Sequence, residues 1–203
     1  MTTPAHRRLT RLCTSEGQSI VEFAIILPFL LVICLGVVET AYALIDQHVV
    51  TKMAREGSNL ISRNTTLQQA GTVLTNMQSQ PLNFSNGTST VIFSVLQKGG
   101  TTGTANFGQV ILYQRASFGS FPASSRLNTG SGSYSGPSEY TAVNPTTNTG
   151  LQVTNLSDSI INVNGGFLYV TEIFTRHNRI TPLDRLLPYG VTMPNTLYSI
   201  AYF

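Results

Sequence analysis

Residues 23–45, FAIILPFLLVICLGVVETAYALI, form an apolar run broken only by Glu39 and a few small polar side chains. A helix crosses a bilayer core with about 20 predominantly apolar residues, and this run satisfies that requirement. It is preceded by Arg7, Arg8 and Arg11, with Glu16 as the single acid among the first seventeen residues. Beyond them the chain carries nine Lys/Arg and eight Asp/Glu, close to neutrality. The basic balance therefore belongs to a short leading segment, expected to stay cytoplasmic while the rest of the chain lies outside. It is not the clustered patch on a folded domain that nucleic acid requires. The competing reading is a discarded secretory signal, whose apolar core is about 7–15 residues long and ends at a small-residue cleavage site. The run here is longer, and its helical pattern continues past it, which favours a retained membrane helix.

Two residues in this segment call for a reason. Pro28 lacks a backbone donor and is expected to bend or loosen the helix, which a membrane segment tolerates where neighbours satisfy the freed carbonyl. Glu22 stands at the start of the apolar run. A carboxylate there is either solvated in the interface or kept for a partner. The two cysteines, Cys13 and Cys34, lie before and inside the run, so the remainder of the chain is cysteine-free and no disulfide framework is expected.

The order of a basic leader, then Gly17-Gln18-Ser19-Ile20-Val21-Glu22-Phe23, then an apolar helix with a proline, resembles the type IV prepilin class. The resemblance implies cleavage by a prepilin peptidase after Gly17. Counted from Gln18, Glu22 is then the fifth mature residue, and Phe23 supplies the aromatic that Flp-type prepilins carry next. It also implies that Glu22 pairs with the new α-amino group of a neighbouring subunit, offsetting two charges that are costly alone in lipid. The longer stretch from Gly17 to Arg63 is similar to the N-terminal region of TadE-like proteins. Gly36 and Glu39 match a small residue and a second intramembrane acid, and Met53-Ala54-Arg55-Glu56-Gly57 matches a later AAREGAR-like stretch. A weaker similarity covers GGFLYVTEIFTRHNRITPLD and LYSIAYF near the C-terminus. Ser58-Asn59 depart from the family's usual Ala or Arg, and TadF-like sequences share these features.

After residue 45, Ile45, Val49, Met53 and Leu60 keep near-helical spacing until Asn64-Thr65-Thr66 interrupts it, and a second helix is expected over 66–78. Past Pro81 the period changes to two. Strands are expected at 90–97, 109–116, 166–175 and 196–203, rich in β-branched and aromatic residues. The fold class is thus α+β: a long N-terminal membrane-spanning helix extending into a small exported domain with an antiparallel sheet of about four strands, one side of it buried against the helix. The expected organisation is a leader at 1–17, a transmembrane and extended helix at 18–63 with its membrane part at about 23–45, and an exported domain at 64–203. Within that domain, Ser, Thr, Gly, Asn and Pro dominate about 118–150, a composition expected to bury little and to form a long exposed loop.

No catalytic or metal-ligating pattern accompanies this plan. The histidines are His6, His48 and His177. No ligand stands at helical spacing from His48, and His177, in a turn after a strand, reads as a surface polar residue. There is no H-E-x-x-H, paired cysteine set, P-loop or G-x-S-x-G elbow. The expectation is no cofactor, no metal and no enzymatic activity. Arg176, Arg179 and Arg185 form the one basic grouping after the helix, either a solvated loop edge or a docking patch for an acidic partner surface. Two function classes follow. The resemblance implies a minor pseudopilin of a Tad (Flp) pilus, resident in the bacterial inner membrane. Its partners would be the prepilin peptidase, other pilin and pseudopilin subunits and the Tad inner-membrane assembly platform. The alternative is an unprocessed signal-anchored surface module of adhesin-like kind.

Overall fold

The computed structural model describes residues 16–127, 129–182 and 195–203. Helix α1, Glu16–Ser62, runs without interruption through Pro28. At 1.5 Å per residue its 47 residues extend for about 70 Å. It ends where Asn64 takes a left-handed backbone, φ 68°, a conformation asparagine tolerates at a helix terminus. Helix α2, Leu67–Asn76, starts at once under a capping box: the Thr66 side chain accepts from the Gln69 amide, and the Gln69 side chain accepts from the Thr66 amide.

Four strands follow: β1 Ser89–Lys98, β2 Val110–Gly119, β3 Phe167–Arg176 and β4 Thr196–Tyr202. All neighbours are antiparallel, in the order β2-β1-β3-β4. The β1–β2 register shifts between Val95 and Leu96. Each strand lies within a few residues of its sequence-based position. The helix-to-strand order is the expected one.

Alternation along the strands divides the core in two. Val91, Phe93, Val95, Ala116, Ile173 and Ala201 face the helices and pack with Val50, Met53, Ala54 and Ile61 of α1 and with Leu67, Ala70 and Leu74 of α2. Gly57 lets α1 come close. A Cβ there would stand 2.7 Å from Thr171 Cγ2 and 3.1 Å from the Phe93 ring. The opposite sheet face carries Leu96, Val110, Leu112 and Val170.

This second face is covered, contrary to the expectation of one buried side and a loop burying little. Leu127, Val153 and Ile161 close over it, and Leu151 and Ala142 pack with Ile111 and Tyr134 in an adjoining cluster. Isolated bridges Ile111–Gln152, Gln114–Thr141, Thr129–Val153 and Tyr134–Ala142 tie the segment down. Asn106, fully buried, donates to the carbonyls of Pro145 (2.8 Å) and Asn148 (2.9 Å) and accepts from Gln152 (2.9 Å). Few apolar residues suffice because each is seated on a sheet whose own apolar face is already formed. The domain thus has three layers: helices, sheet and a loop-built cover.

Candidate functional site

The first part of α1 stands apart from the domain. From Gly17 to Cys34 every residue is exposed, including Phe23, Ile25, Phe29 and Ile33. Eighteen residues cover about 27 Å of helix, close to the hydrocarbon thickness of a bilayer. This helix is long and apolar enough to cross a membrane. Gly17 has no heavy atom within 4 Å of where a Cβ would lie. Gln18 donates to the Glu22 carboxylate at 2.9 Å, one helical turn on, and among the described residues no cation pairs with that carboxylate. Pro28 sits inside the exposed stretch. Cys34 is exposed and free, whereas Arg7, Arg8, Arg11 and Cys13 lie outside the described residues.

Glu39, expected as a second intramembrane acid, is enclosed by the protein itself. It is only 6% exposed, enclosed by the loop that follows β3. Its carboxylate accepts from the Thr181 hydroxyl (2.7 Å), the Thr181 amide (2.9 Å) and the Ile180 amide (3.3 Å). His177 Nε2 lies 3.2 Å from its other oxygen, and His177 Nδ1 lies 2.8 Å from Asp46. Glu39 and Asp46 are seven residues apart, two helical turns, so they share one face and the imidazole spans them. Pairing and backbone donation are what make a buried carboxylate tolerable. The protein's own loop supplies them.

The sequence reading of His177 as a surface residue is therefore corrected. It is 6% exposed and clasps α1 to the end of β3. Its partners lie 131 and 138 residues away, out of reach of any local pattern. The available signal was the pair of acids on one helix face, which demands a donor from elsewhere. Of the basic grouping, Arg176 closes β3 and Arg179 follows in the loop, both beside a polar cavity of about 370 Å³ lined also by His177, Asn178 and Asn195. Arg185 lies outside the described residues.

A further acid missed by sequence reasoning is Glu172, fully buried on the covered sheet face. It accepts from the Ser125 hydroxyl, the Arg126 amide (2.8 Å) and the Tyr198 hydroxyl (2.9 Å). Ser125 accepts in turn from Arg115 (3.0 Å), and the Arg126 guanidinium stacks on the Tyr198 ring at 3.7 Å. Burial first, then the adjoining Glu172 carboxylate, push the Tyr198 phenol well above its ordinary range. This network pins the start of the loop-built cover. Among the described residues no group of three or more His, Cys, Asp or Glu side chains is placed to hold a metal.

An exposed apolar helix led by Gly17 and Glu22 and gripped by its own domain from Glu39 onward is the setting of the family comparison. Residues 17–59 match the model of the family described as TadE-like protein. The anchoring segment is TadE-like. The match spans Gly17, Gln18, Glu22, Phe23, Pro28, Glu39 and Gly57, and ends inside α1. It associates the chain with the Tad pilus system, and the single apolar helix suits a membrane-anchored protein. The sheet and its cover lie beyond the TadE-like match. No curated protein and no solved structure matches the chain.

Proposed function

We propose that this chain is a minor pseudopilin of a Tad (Flp) pilus, cut by a prepilin peptidase between Gly17 and Gln18. The observation that carries the proposal is the state of Glu22. Its carboxylate sits on an exposed helix turn, bonded within the chain only to the neutral Gln18 side chain among the described residues. A carboxylate at the head of a membrane helix is costly without a positive partner. Cleavage after Gly17 makes such a partner, because it creates an α-ammonium at Gln18 on every subunit. The Glu22 of one subunit then pairs with the ammonium of the next, and the apolar flanks of neighbouring helices pack together. Phe23 and Pro28 lie on the same exposed stretch and contribute to that helix packing.

The proposed topology places the N-terminus in the cytoplasm and the α+β domain in the periplasm, with the inner-membrane assembly platform and other pilin-class subunits as partners. The deciding experiment is N-terminal sequencing of the protein from native membranes, with and without the host's prepilin peptidase. A chain beginning at Gln18 only when the peptidase is present is the expected result. A chain retaining Arg7, Arg8 and Arg11 in both strains would overturn the assignment in favour of an unprocessed anchor.

A further inference from the structure

The loop after β3 meets α1 little more than one turn beyond Gly17–Cys34, the stretch of about 27 Å in which every residue is exposed. Glu39 stands within the apolar run, whose exposed apolar side chains continue through Tyr42, Leu44 and Ile45, and it bonds the backbone amides of Ile180 and Thr181. Anything on this loop is therefore held at the boundary between lipid and water if α1 spans a bilayer.

The side chains on the loop suit that level. Arg176 and Arg179, with Asn178 and Asn195, line the polar cavity of about 370 Å³, and none of its described lining residues is acidic. Asn178 also borders a second cleft, of about 430 Å³, where Tyr42, Ile45 and Ile180 meet and whose one described acid, Asp46, is held by His177. All three of those apolar side chains are exposed, Ile180 at 58%. A cationic, amide-rich cavity beside exposed Tyr and Ile has the chemistry of the interface, where aromatic and aliphatic groups enter the acyl boundary and cations meet headgroups.

We propose that this cavity is a site for the phosphate of an anionic phospholipid headgroup, with Ile180, Tyr42 and Ile45 against the adjoining acyl and glycerol region. Arg176 and Arg179 donate to the phosphate oxygens, and the Asn178 and Asn195 amides take the remaining headgroup polar atoms. A guanidinium carries five N–H donors in a planar fork, so Arg179 keeps the protein interaction it has and still reaches a phosphate. A cavity of this size holds a phosphodiester with its glycerol. An acidic protein surface would also favour the arginines, but it gives no role to the exposed Ile180 at the same height. The site rests on the membrane-anchored reading of α1.

The test is hydrogen exchange of the full chain in nanodiscs of phosphatidylcholine alone and of phosphatidylcholine with phosphatidylglycerol. Amides of residues 176–181 are expected to exchange about tenfold more slowly in the anionic discs. The Arg176→Gln/Arg179→Gln double variant should abolish that difference and leave the exchange of β1, and of β3 up to Thr175, unchanged. Inorganic phosphate added to phosphatidylcholine discs should not reproduce the protection. Equal exchange in both disc types, or protection by free phosphate alone, overturns the lipid site and leaves the arginines to another anion or to an acidic partner. A chain that fails to enter discs of either composition removes the membrane reading, and this site with it.

Discussion

Glu39 and Gly57 show how single residues decide the contact between helix and domain. Replacing Glu39 by Ala removes the acceptor for three donors of the loop and one carboxylate partner of His177. Leaving one buried and three part-buried groups unmet costs about 3 kcal/mol. Glu39→Gln, which keeps an acceptor oxygen, should cost roughly a third of that. Denaturant unfolding of the detergent-solubilised protein measures both, and an unchanged midpoint for Glu39→Ala would mean that Glu39 faces neighbouring subunits instead. At Gly57 a larger side chain meets Thr171 and Phe93 at once. Gly57→Leu is expected to destabilise by about 3 kcal/mol through overpacking, although Leu favours helix. The sequence identified Glu39 and Gly57 by position in a family pattern, but their reasons became visible only across the fold. Neither the histidine that binds the first nor the threonine that crowds the second is near it in sequence.

Secondary-structure elements were more legible than the cover that joins them. The helices are set by apolar spacing and by the Thr66–Gln69 cap, the strands by runs of β-branched and aromatic residues, all of them local signals. Residues 120–161 gave no such signal, because Leu127, Ala142, Leu151 and Val153 are scattered among small polar residues without a period. One clue was present in β1, whose eight successive buried residues, Ser89–Leu96, belong to a strand covered on both faces. The Glu172 network that anchors this cover makes two predictions. Glu172→Ala removes the acceptor of Ser125, Arg126 and Tyr198, costs about 3–5 kcal/mol, and should bring protease cleavage to residues 120–127. The second concerns alkali. Tyr198 has a raised folded-state phenol, whereas an unfolded tyrosine ionises near pH 10. Its contribution is therefore fully present below about pH 10 and is lost as pH rises through the folded value. Tyr134 and Tyr202 are raised as well, so Tyr198→Phe should make the alkaline fall in stability shallower without removing it.

For the molecule as a whole, the clasp joins two roles of α1. Up to Ile45 the helix presents apolar side chains outward, and from Val50 to Ile61 it is one wall of the domain core. The core of α1 residues begins at Val50, so the apolar segment adds nothing to the domain's packing. What Glu39 and Asp46 add is a fixed angle between anchor and domain. A subunit built into a helical bundle needs that rigidity, because domain positions then follow from helix packing. The consequence is measurable with two shortened chains, one begun at Val37 and one at Gln47. The first keeps both clasp carboxylates and should fold in water without detergent. The second leaves His177 and the amides of Ile180 and Thr181 without their partners. Its melting temperature should lie about 10 °C lower, as a loss of roughly 3 kcal/mol implies for a domain of this size. Equal melting temperatures would show that the domain holds its shape without the clasp, and that Glu39 and Asp46 act on the anchor alone.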